Sequence, residues 1–157
     1  MISKIISPTE DQKFQMMEFV YKNTNSFIMN TFGYLWSERI WWKDFPVYTY
    51  NVGDEIIGLH ACVYNTGRYS DKLKTYYIVS SKAFRGQGIA KKLIAFSLQD
   101  NIKVVKSYYV NTEENSEGVN FYKKLFNDKY KLEKNQFGTL DYVFDIPIND
   151  ALTNLNK

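Results

Sequence analysis

The sequence has few of the residues that mark several common protein classes. A single cysteine, Cys62, excludes a framework of intrachain disulfides and suits a reducing compartment. Only three arginines occur among 20 basic residues, and they form no basic stripe of the kind that binds nucleic acids. The chain also lacks the run of roughly 20 apolar residues that a membrane-spanning helix requires. These absences predict a cytoplasmic protein with neither a nucleic-acid nor a membrane partner.

The composition that remains is that of one globular domain. Hydrophobic residues make up 45% of the 157 residues, which is enough to form a hydrophobic core without disulfides or metals. No internal repeat and no linker rich in proline, glycine or serine divides the chain. We therefore expect residues 1–157 to form a single domain. The net charge of +3 gives a weak positive field, which would help to attract a polyphosphate ligand.

The spacing of apolar residues predicts the order β, helices, βββ, α, β, α, ββ. Strands are predicted at 2–6, 47–52, 55–64, 74–80, 103–110, 129–133 and 139–146. Helices are predicted after Pro8, as one or two short segments within 27–43, at 90–98 and at 116–126. A hairpin turn is expected at Gly53-Asp54. This order indicates an α/β sandwich built on a mixed sheet.

A glycine-rich segment, Arg85-Gly86-Gln87-Gly88-Ile89-Ala90, follows the strand that ends near Ser80 and precedes a predicted helix. The first amides of a helix have no partner within the helix, and they carry the positive end of its dipole. Glycines let that backbone approach a phosphate closely. The segment lacks the Gly-Lys-Ser/Thr of a Walker loop and the three glycines of a dinucleotide fingerprint. It predicts an anion-binding loop, and a tight turn with a helix cap is the alternative interpretation.

A second motif consists of Asn115, Gly118 and Tyr122, whose spacing places them on one face of the predicted helix. Together the two motifs resemble those of the GCN5-related N-acetyltransferase (GNAT) family. The family signature is Gln/Arg-x-x-Gly-x-Gly/Ala after a strand, followed later by an Asn, a small residue three positions on and a Tyr seven positions on. This sequence departs from the family at Ser81, where proline is common, and at Leu125-Phe126, where Gly-Phe is usual. The resemblance covers residues 74–126.

The resemblance implies an α/β (α+β) sandwich with a mixed, mainly antiparallel sheet of six to seven strands and helices on both faces. It also implies an N-acetyltransferase that moves an acetyl group from acetyl-CoA to a primary amine, through a tetrahedral intermediate and without a metal. The amine belongs to a small molecule or to a protein. A homodimer is the common assembly in such enzymes. The alternative is a regulatory module of the same fold that binds acyl-CoA without transferring the acyl group.

The resemblance also implies which residues bind the coenzyme and which carry the chemistry. The coenzyme-binding set is Ile78, Val79, Ser80, Arg85, Gly86, Gln87, Gly88, Ile89, Ala90, Asn115, Gly118 and Tyr122. A backbone N–H near Val79 is expected to stabilise the oxyanion, and Tyr122 is expected to protonate the departing thiolate. The reference pKa values of a phenol (about 10) and a thiol (about 8.5) are close enough for this transfer. A helix N-cap is the alternative interpretation of Asn115, and a half-buried core aromatic is that of Tyr122.

The general base and the acceptor pocket are less well defined. His60 is the only histidine, and the ordinary pKa of a histidine suits a base at neutral pH. A hydrogen-bonded histidine within the sheet is its alternative interpretation, and Glu55, Glu113 and Glu114 are other candidates for the base. Several aromatic residues before the first hairpin are candidates for an acceptor pocket or for the core that joins helix to sheet. They are Phe32, Trp36, Trp41, Trp42 and Phe45.

Overall fold

The computed structural model describes residues 1–24 and 45–157. In these ranges the chain forms seven β-strands and four α-helices. The strands are β1 (Ile2–Ile5), β2 (Val47–Val52), β3 (Glu55–Tyr64), β4 (Lys72–Ser80), β5 (Ser107–Glu113), β6 (Tyr130–Lys134) and β7 (Leu140–Pro147). The helices are α1 (Glu10–Asn23), α2 (Ile89–Asp100), α3 (Gly118–Phe126) and α4 (Ile148–Leu155). The short helices predicted within 27–43 lie outside the described residues.

The strands form one mixed sheet in the order β1-β2-β3-β4-β5-β7-β6. The pairs β1–β2, β2–β3, β5–β7 and β6–β7 are antiparallel, and β4 pairs with β5 in parallel through Lys72–Lys74. The predicted fold class, a mixed and mainly antiparallel sheet of six to seven strands, is therefore confirmed. No helix within residues 1–24 and 45–157 has both the length and the apolar character that crossing a membrane demands.

The chain forms two compact units, one of residues 1–63 and 75–97 and the other of residues 64–74 and 98–157. The first unit begins with β1 and α1. Thr9 caps α1, because its Oγ1 accepts the Gln12 N–H at 3.1 Å while Gln12 Oε1 accepts the Thr9 N–H at 2.9 Å. Gly53, with φ of +59°, makes the turn of the β2–β3 hairpin at the predicted position. Cys62 on β3 is fully buried.

In the second unit, β5 begins four residues later than predicted. The sequence 103–110 is rich in valine and tyrosine, which favour strands. In the structure, however, the N–H groups of Val104 and Val105 both donate to Asn101 O, at 3.0 and 3.1 Å. These bonds close a turn directly after α2, so that pairing with β7 starts at Ser107. Side-chain propensity alone did not distinguish this turn from a strand.

The second unit also contains α4, a helix that was not predicted. Its N–H at Ile148 donates to Lys106 O at 2.9 Å, and Ala151 and Leu155 are buried. Residues 148, 151, 152 and 155 are apolar at the spacing of one helix face, and Pro147 stands immediately before them. The signal was therefore present in the sequence, although the polar residues between these positions obscured it.

Candidate functional site

The glycine loop connects β4 to α2 in the first unit. After β4 ends at Ser80, the Ser81 N–H donates to Ile57 O at 2.8 Å, and residues 82–84 form one turn of 3₁₀ helix. Gly86 and Gly88 then adopt φ values of +84° and +76°, the left-handed region that residues with a Cβ rarely occupy. The helix α2 starts at Ile89, immediately after the second glycine.

The space around both glycines is open. A Cβ added to Gly86 or Gly88 would meet no heavy atom within 4 Å apart from its chain neighbours. Gly88 O accepts the Lys92 N–H at 3.0 Å, and the amides before Lys92 are those that a helix leaves without an intrahelical partner. Residues 81–99 include four basic and no acidic residues, so the local charge is positive. This combination is suited to binding an anion such as a phosphate.

A third glycine, Gly58 on β3, determines how closely α2 approaches the sheet. A Cβ at Gly58 would lie 2.5 Å from Ile89 Cγ2 and 2.9 Å from Leu93 Cδ1, distances that real side chains do not adopt. Gly58 therefore allows the first turn of α2 to pack directly on β3. This role of Gly58 was not predicted, although a glycine inside a strand is a signal of close backbone approach.

His60 on β3 is fully buried between Thr75 on β4 and Ser97 on α2. Its Nδ1 lies 2.9 Å from Ser97 Oγ, and its Nε2 lies 2.7 Å from Thr75 Oγ1. Because the Ser97 hydroxyl donates to Leu93 O at 2.8 Å, it accepts from Nδ1–H, and the Thr75 hydroxyl then donates to Nε2. Burial lowers the pKa of His60 to about 3, so the ring is neutral at neutral pH. His60 thus links two strands and a helix through hydroxyl groups.

The second motif lies in the second unit, at the start of α3. The helix begins at Gly118 with Glu117 as its N-cap, so Asn115 is not the N-cap and precedes the helix. The reason is a local turn, in which Ser116 Oγ donates to Glu113 O at 2.7 Å and accepts from Thr112 Oγ1 at 2.6 Å. Gly118 and Tyr122, four residues apart, share one helix face, and Asn115 lies in the turn that precedes the helix.

Tyr122 is buried within an aromatic cluster. Its side chain is 3% exposed, and its ring centroid lies 4.9 Å from that of Phe121 and 5.8 Å from that of Phe144. Its hydroxyl oxygen lies 3.4 Å from the hydroxyl oxygen of Tyr108 on β5. Phe126, the last residue of α3, packs on Tyr108 and Phe144 in the same cluster. The phenol is therefore held by packing as well as by its polar contact.

The other candidates for the general base are exposed glutamates. Glu113 Oε1 accepts from Thr139 Oγ1 at 3.0 Å, and Glu114 Oε1 accepts the Leu140 N–H at 3.3 Å, so both contact the start of β7. Glu55 opens β3 and is exposed. Among the aromatic candidates for the acceptor pocket, Phe45 is half-buried. Four others lie outside the described residues, namely Phe32, Trp36, Trp41 and Trp42.

The predicted coenzyme-binding residues are distributed over both units. Ile78, Val79 and Ser80 form the end of β4, separated by four residues from the loop of residues 85–90, and all of these belong to the first unit. Asn115, Gly118 and Tyr122 belong to the second unit. Val79 is buried, and Ile78 and Ser80 are half-buried.

The mixed sheet and the loop between β4 and α2 define an α/β fold in which two left-handed glycines lead into a helix N-terminus. The sequence profile of the Acetyltransferase (GNAT) domain matches residues 38–125, more than half of the chain. The chain therefore belongs to the GNAT acetyltransferase family, a family of acyltransferases. The resemblance inferred from the two motifs is confirmed.

Solved structures of low sequence identity share this fold. A GNAT-family protein from Desulfovibrio desulfuricans matches 94% of this chain and 99% of its own, with a TM-score of 0.74 and 11% identity. An aminoglycoside 6'-N-acetyltransferase complexed with coenzyme A matches 94% and 97%, with a TM-score of 0.70 and 12% identity. The NatC complex bound to Gag peptide and CoA matches 93% of this chain and 98% of the matched chain, with a TM-score of 0.64 and 17% identity. Comparison with curated proteins found no significant match.

Proposed function

We propose that this protein is an N-acetyltransferase that moves an acetyl group from acetyl-CoA to a primary amine. The observation that carries the proposal is the loop at residues 85–90, where two left-handed glycines with open surroundings lead into a helix N-terminus. Coenzyme A carries a pyrophosphate, and backbone amides at a helix N-terminus are suited to that group. Similar structures were solved with coenzyme A, which supports the choice of ligand.

The loop backbone from Arg85 to Ala90 would hold the pyrophosphate, and its positive surroundings would add a favourable electrostatic contribution. Val79 precedes the loop at the end of β4, and its backbone N–H is our candidate for stabilising the oxyanion of the tetrahedral intermediate. In the second unit, Asn115 and Gly118 are the further candidates for coenzyme contacts. No metal is required for any of these roles.

The reaction is a direct attack of the amine nitrogen on the thioester carbonyl carbon. A carbon–nitrogen bond forms, the carbon–sulfur bond breaks with its electron pair on sulfur, and the thiolate takes a proton from Tyr122. His60 is less suited to the role of general base, because both of its ring nitrogens are hydrogen-bonded inside the core and the side chain is fully buried. Its contacts favour a packing role, and Glu55, Glu113 and Glu114 stay candidates for the base.

The acceptor amine belongs to a small molecule or to a protein. The similar structures include an aminoglycoside acetyltransferase and a NatC complex with a bound peptide, so both classes of acceptor occur on this fold. Release of free thiol from acetyl-CoA should be measured with kanamycin, with putrescine and with a peptide that has a free N-terminus. Mass spectrometry of a lysate treated with the enzyme and isotope-labelled acetyl-CoA would then identify acceptors outside this panel.

Turnover with at least one amine or lysate component is the expected result. Tight binding of acetyl-CoA by calorimetry, without acetylation of any amine or protein, would instead identify the chain as an acyl-CoA-binding module. Absence of both binding and turnover would contradict the assignment of the loop as a coenzyme site.

A further inference from the structure

Two buried phenols face each other in the second unit. Tyr108 on β5 is fully buried, Tyr122 on α3 is nearly so, and their hydroxyl oxygens lie 3.4 Å apart. Phe126 and Phe144 pack around the pair. A separation of 3.4 Å is longer than an ideal O–H···O hydrogen bond, but catalytic hydrogen bonds are often long in the free enzyme and shorten when substrate binds.

The single proton of each hydroxyl determines the direction of this contact during the reaction. A phenol has one O–H to donate and lone pairs to accept. If the Tyr122 proton goes to the departing thiolate, Tyr122 has no proton left to donate and its oxygen becomes an acceptor. Tyr108, whose hydroxyl oxygen lies 3.4 Å away, is placed to donate its O–H to the new phenolate.

The aromatic surroundings make such a donor important. Burial disfavours the charged form of a phenol, because an apolar environment does not replace the hydration of an anion. A hydrogen bond to the charged form favours that form. A hydrogen bond from Tyr108 would therefore compensate for part of the cost of leaving a negative charge on Tyr122.

We propose that Tyr108 is a positioning residue that donates a hydrogen bond to Tyr122, orients its hydroxyl and stabilises the phenolate left after proton transfer. The inference rests on the proposed function, since it assumes that Tyr122 is the general acid. In the balanced step, the Tyr122 O–H bond breaks, a sulfur–hydrogen bond forms on the leaving thiolate and the negative charge stays on the Tyr122 oxygen. The proton released from the attacking amine later restores the phenol.

A first test uses the free protein and needs no substrate. The Cζ carbons of tyrosine are labelled with ¹³C, and the Tyr122 signal is assigned by its loss in Tyr122→Phe. The variant Tyr108→Phe should shift this signal, because it removes the hydrogen-bonding hydroxyl while keeping the ring. The control Tyr130→Phe removes a hydroxyl from a ring that also packs on Phe144, at 5.7 Å between centroids, and should leave the signal in place. An unchanged Tyr122 signal in Tyr108→Phe would overturn the proposal.

A second test is kinetic, with acetyl-CoA and the best amine of the panel described above. Tyr108→Phe should lower kcat about tenfold while the KM for acetyl-CoA stays within about twofold, and Tyr130→Phe should change neither. The double variant Tyr108→Phe/Tyr122→Phe should be no slower than Tyr122→Phe alone, because Tyr108 acts only through Tyr122.

The outcomes separate the inference from the proposed function. If Tyr122→Phe loses activity but Tyr108→Phe keeps full kcat, or if the two losses multiply in the double variant, the role of Tyr108 is wrong and the general acid stands. If Tyr122→Phe keeps full activity, the general-acid assignment is wrong and the role of Tyr108 is wrong with it. If no amine is acetylated, the proposed function fails, whereas the hydroxyl contact is still decided by the ¹³C signal.

Discussion

Gly58 on β3 lies directly beneath Ile89, the first residue of α2, and a Cβ on Gly58 would come within 2.5 Å of Ile89 Cγ2. This contact falls within the proposed coenzyme loop of residues 85–90, because Ile89 directly follows Gly88. The position of the loop therefore depends on a glycine thirty residues earlier in the chain, on a different element.

Replacing Gly58 by alanine tests this dependence. The added methyl group would force Ile89 and Leu93 to move, and overpacking of this kind costs about 1–3 kcal/mol of unfolding free energy. We expect Gly58→Ala to lower the urea midpoint and to raise the KM for acetyl-CoA. The double variant Gly58→Ala/Ile89→Ala, which removes the clashing Cγ2, should recover part of both losses. A double variant with a lower urea midpoint and a higher KM for acetyl-CoA than either single variant would contradict the packing argument.

Replacing Gly88 by aspartate tests the anion site itself. The carboxylate would lie against the pyrophosphate, and we expect the affinity for acetyl-CoA to fall by about tenfold or more, roughly 1.4 kcal/mol at least. Gly138, in the β6–β7 hairpin, has a φ of +83° and equally open surroundings, so Gly138→Asp introduces similar backbone strain away from the loop. Calorimetry should show near-normal binding for Gly138→Asp. Equal losses in both variants would attribute the effect to strain and not to charge.

The buried imidazole of His60 should not titrate near neutral pH. Because His60 is the only histidine, its ring protons can be followed by NMR without ambiguity. Burial lowers its pKa to about 3, so its chemical shift should stay constant from pH 8 to pH 5. A titration midpoint near 6.5 would show that the ring reaches water.

The same group makes stability depend on pH. In the unfolded chain His60 takes up a proton below about pH 6.5, whereas in the folded chain it does so only near pH 3. The unfolded state therefore binds more protons in this window, and the unfolding free energy should fall by up to about 1.4 kcal/mol per unit as pH drops below 6.5. The variant His60→Gln should lose this part of the slope between pH 7 and pH 5, as measured by urea unfolding.

Removing the Tyr122 hydroxyl tests the proton donor. Tyr122→Phe keeps the ring contacts with Phe121 and Phe144, so the fold should be retained. We expect kcat to fall by about 100-fold with little change in the KM for acetyl-CoA, as for loss of a general acid. A steady-state comparison with wild type at saturating amine checks this, and full activity of the variant would show that another group protonates the thiolate.

Local signals in the sequence predicted much of the fold. The bounds of β2 and β3 were predicted residue for residue, because period-two alternation flanks a Gly53-Asp54 turn on both sides. The position of the glycine loop could also be predicted from the sequence, since Gly86 and Gly88 stand between a predicted strand and a predicted helix. The predicted start of β5 was wrong, because Val104 and Val105 have strand propensity but lie in a turn that is closed by their hydrogen bonds to Asn101 O.

Contacts between residues that are distant in the sequence could not be predicted from such local signals. Alternation along β3 left open which face His60 occupies, and its partners Thr75 and Ser97 come from other elements. The clash distance at Gly58 likewise depends on Ile89, whose packing on β3 no local pattern encodes. Asn115 is not the helix cap, because the Ser116 hydroxyl donates to Glu113 O in a turn and the helix begins only at Gly118.

The glycines around the loop differ in what they exclude, and this has a consequence for chirality. At Gly86 and Gly88 the Cβ of an L-residue would meet no heavy atom, so only the sign of φ is restrictive: L-alanine there would be strained without a clash, whereas a D-residue prefers a positive φ. Gly58 has no positive φ, so a larger residue at this position is excluded by lack of space and not by backbone conformation. Substitution of the loop glycines is therefore limited by the chirality of the new residue, and substitution of Gly58 is limited by the size of its side chain.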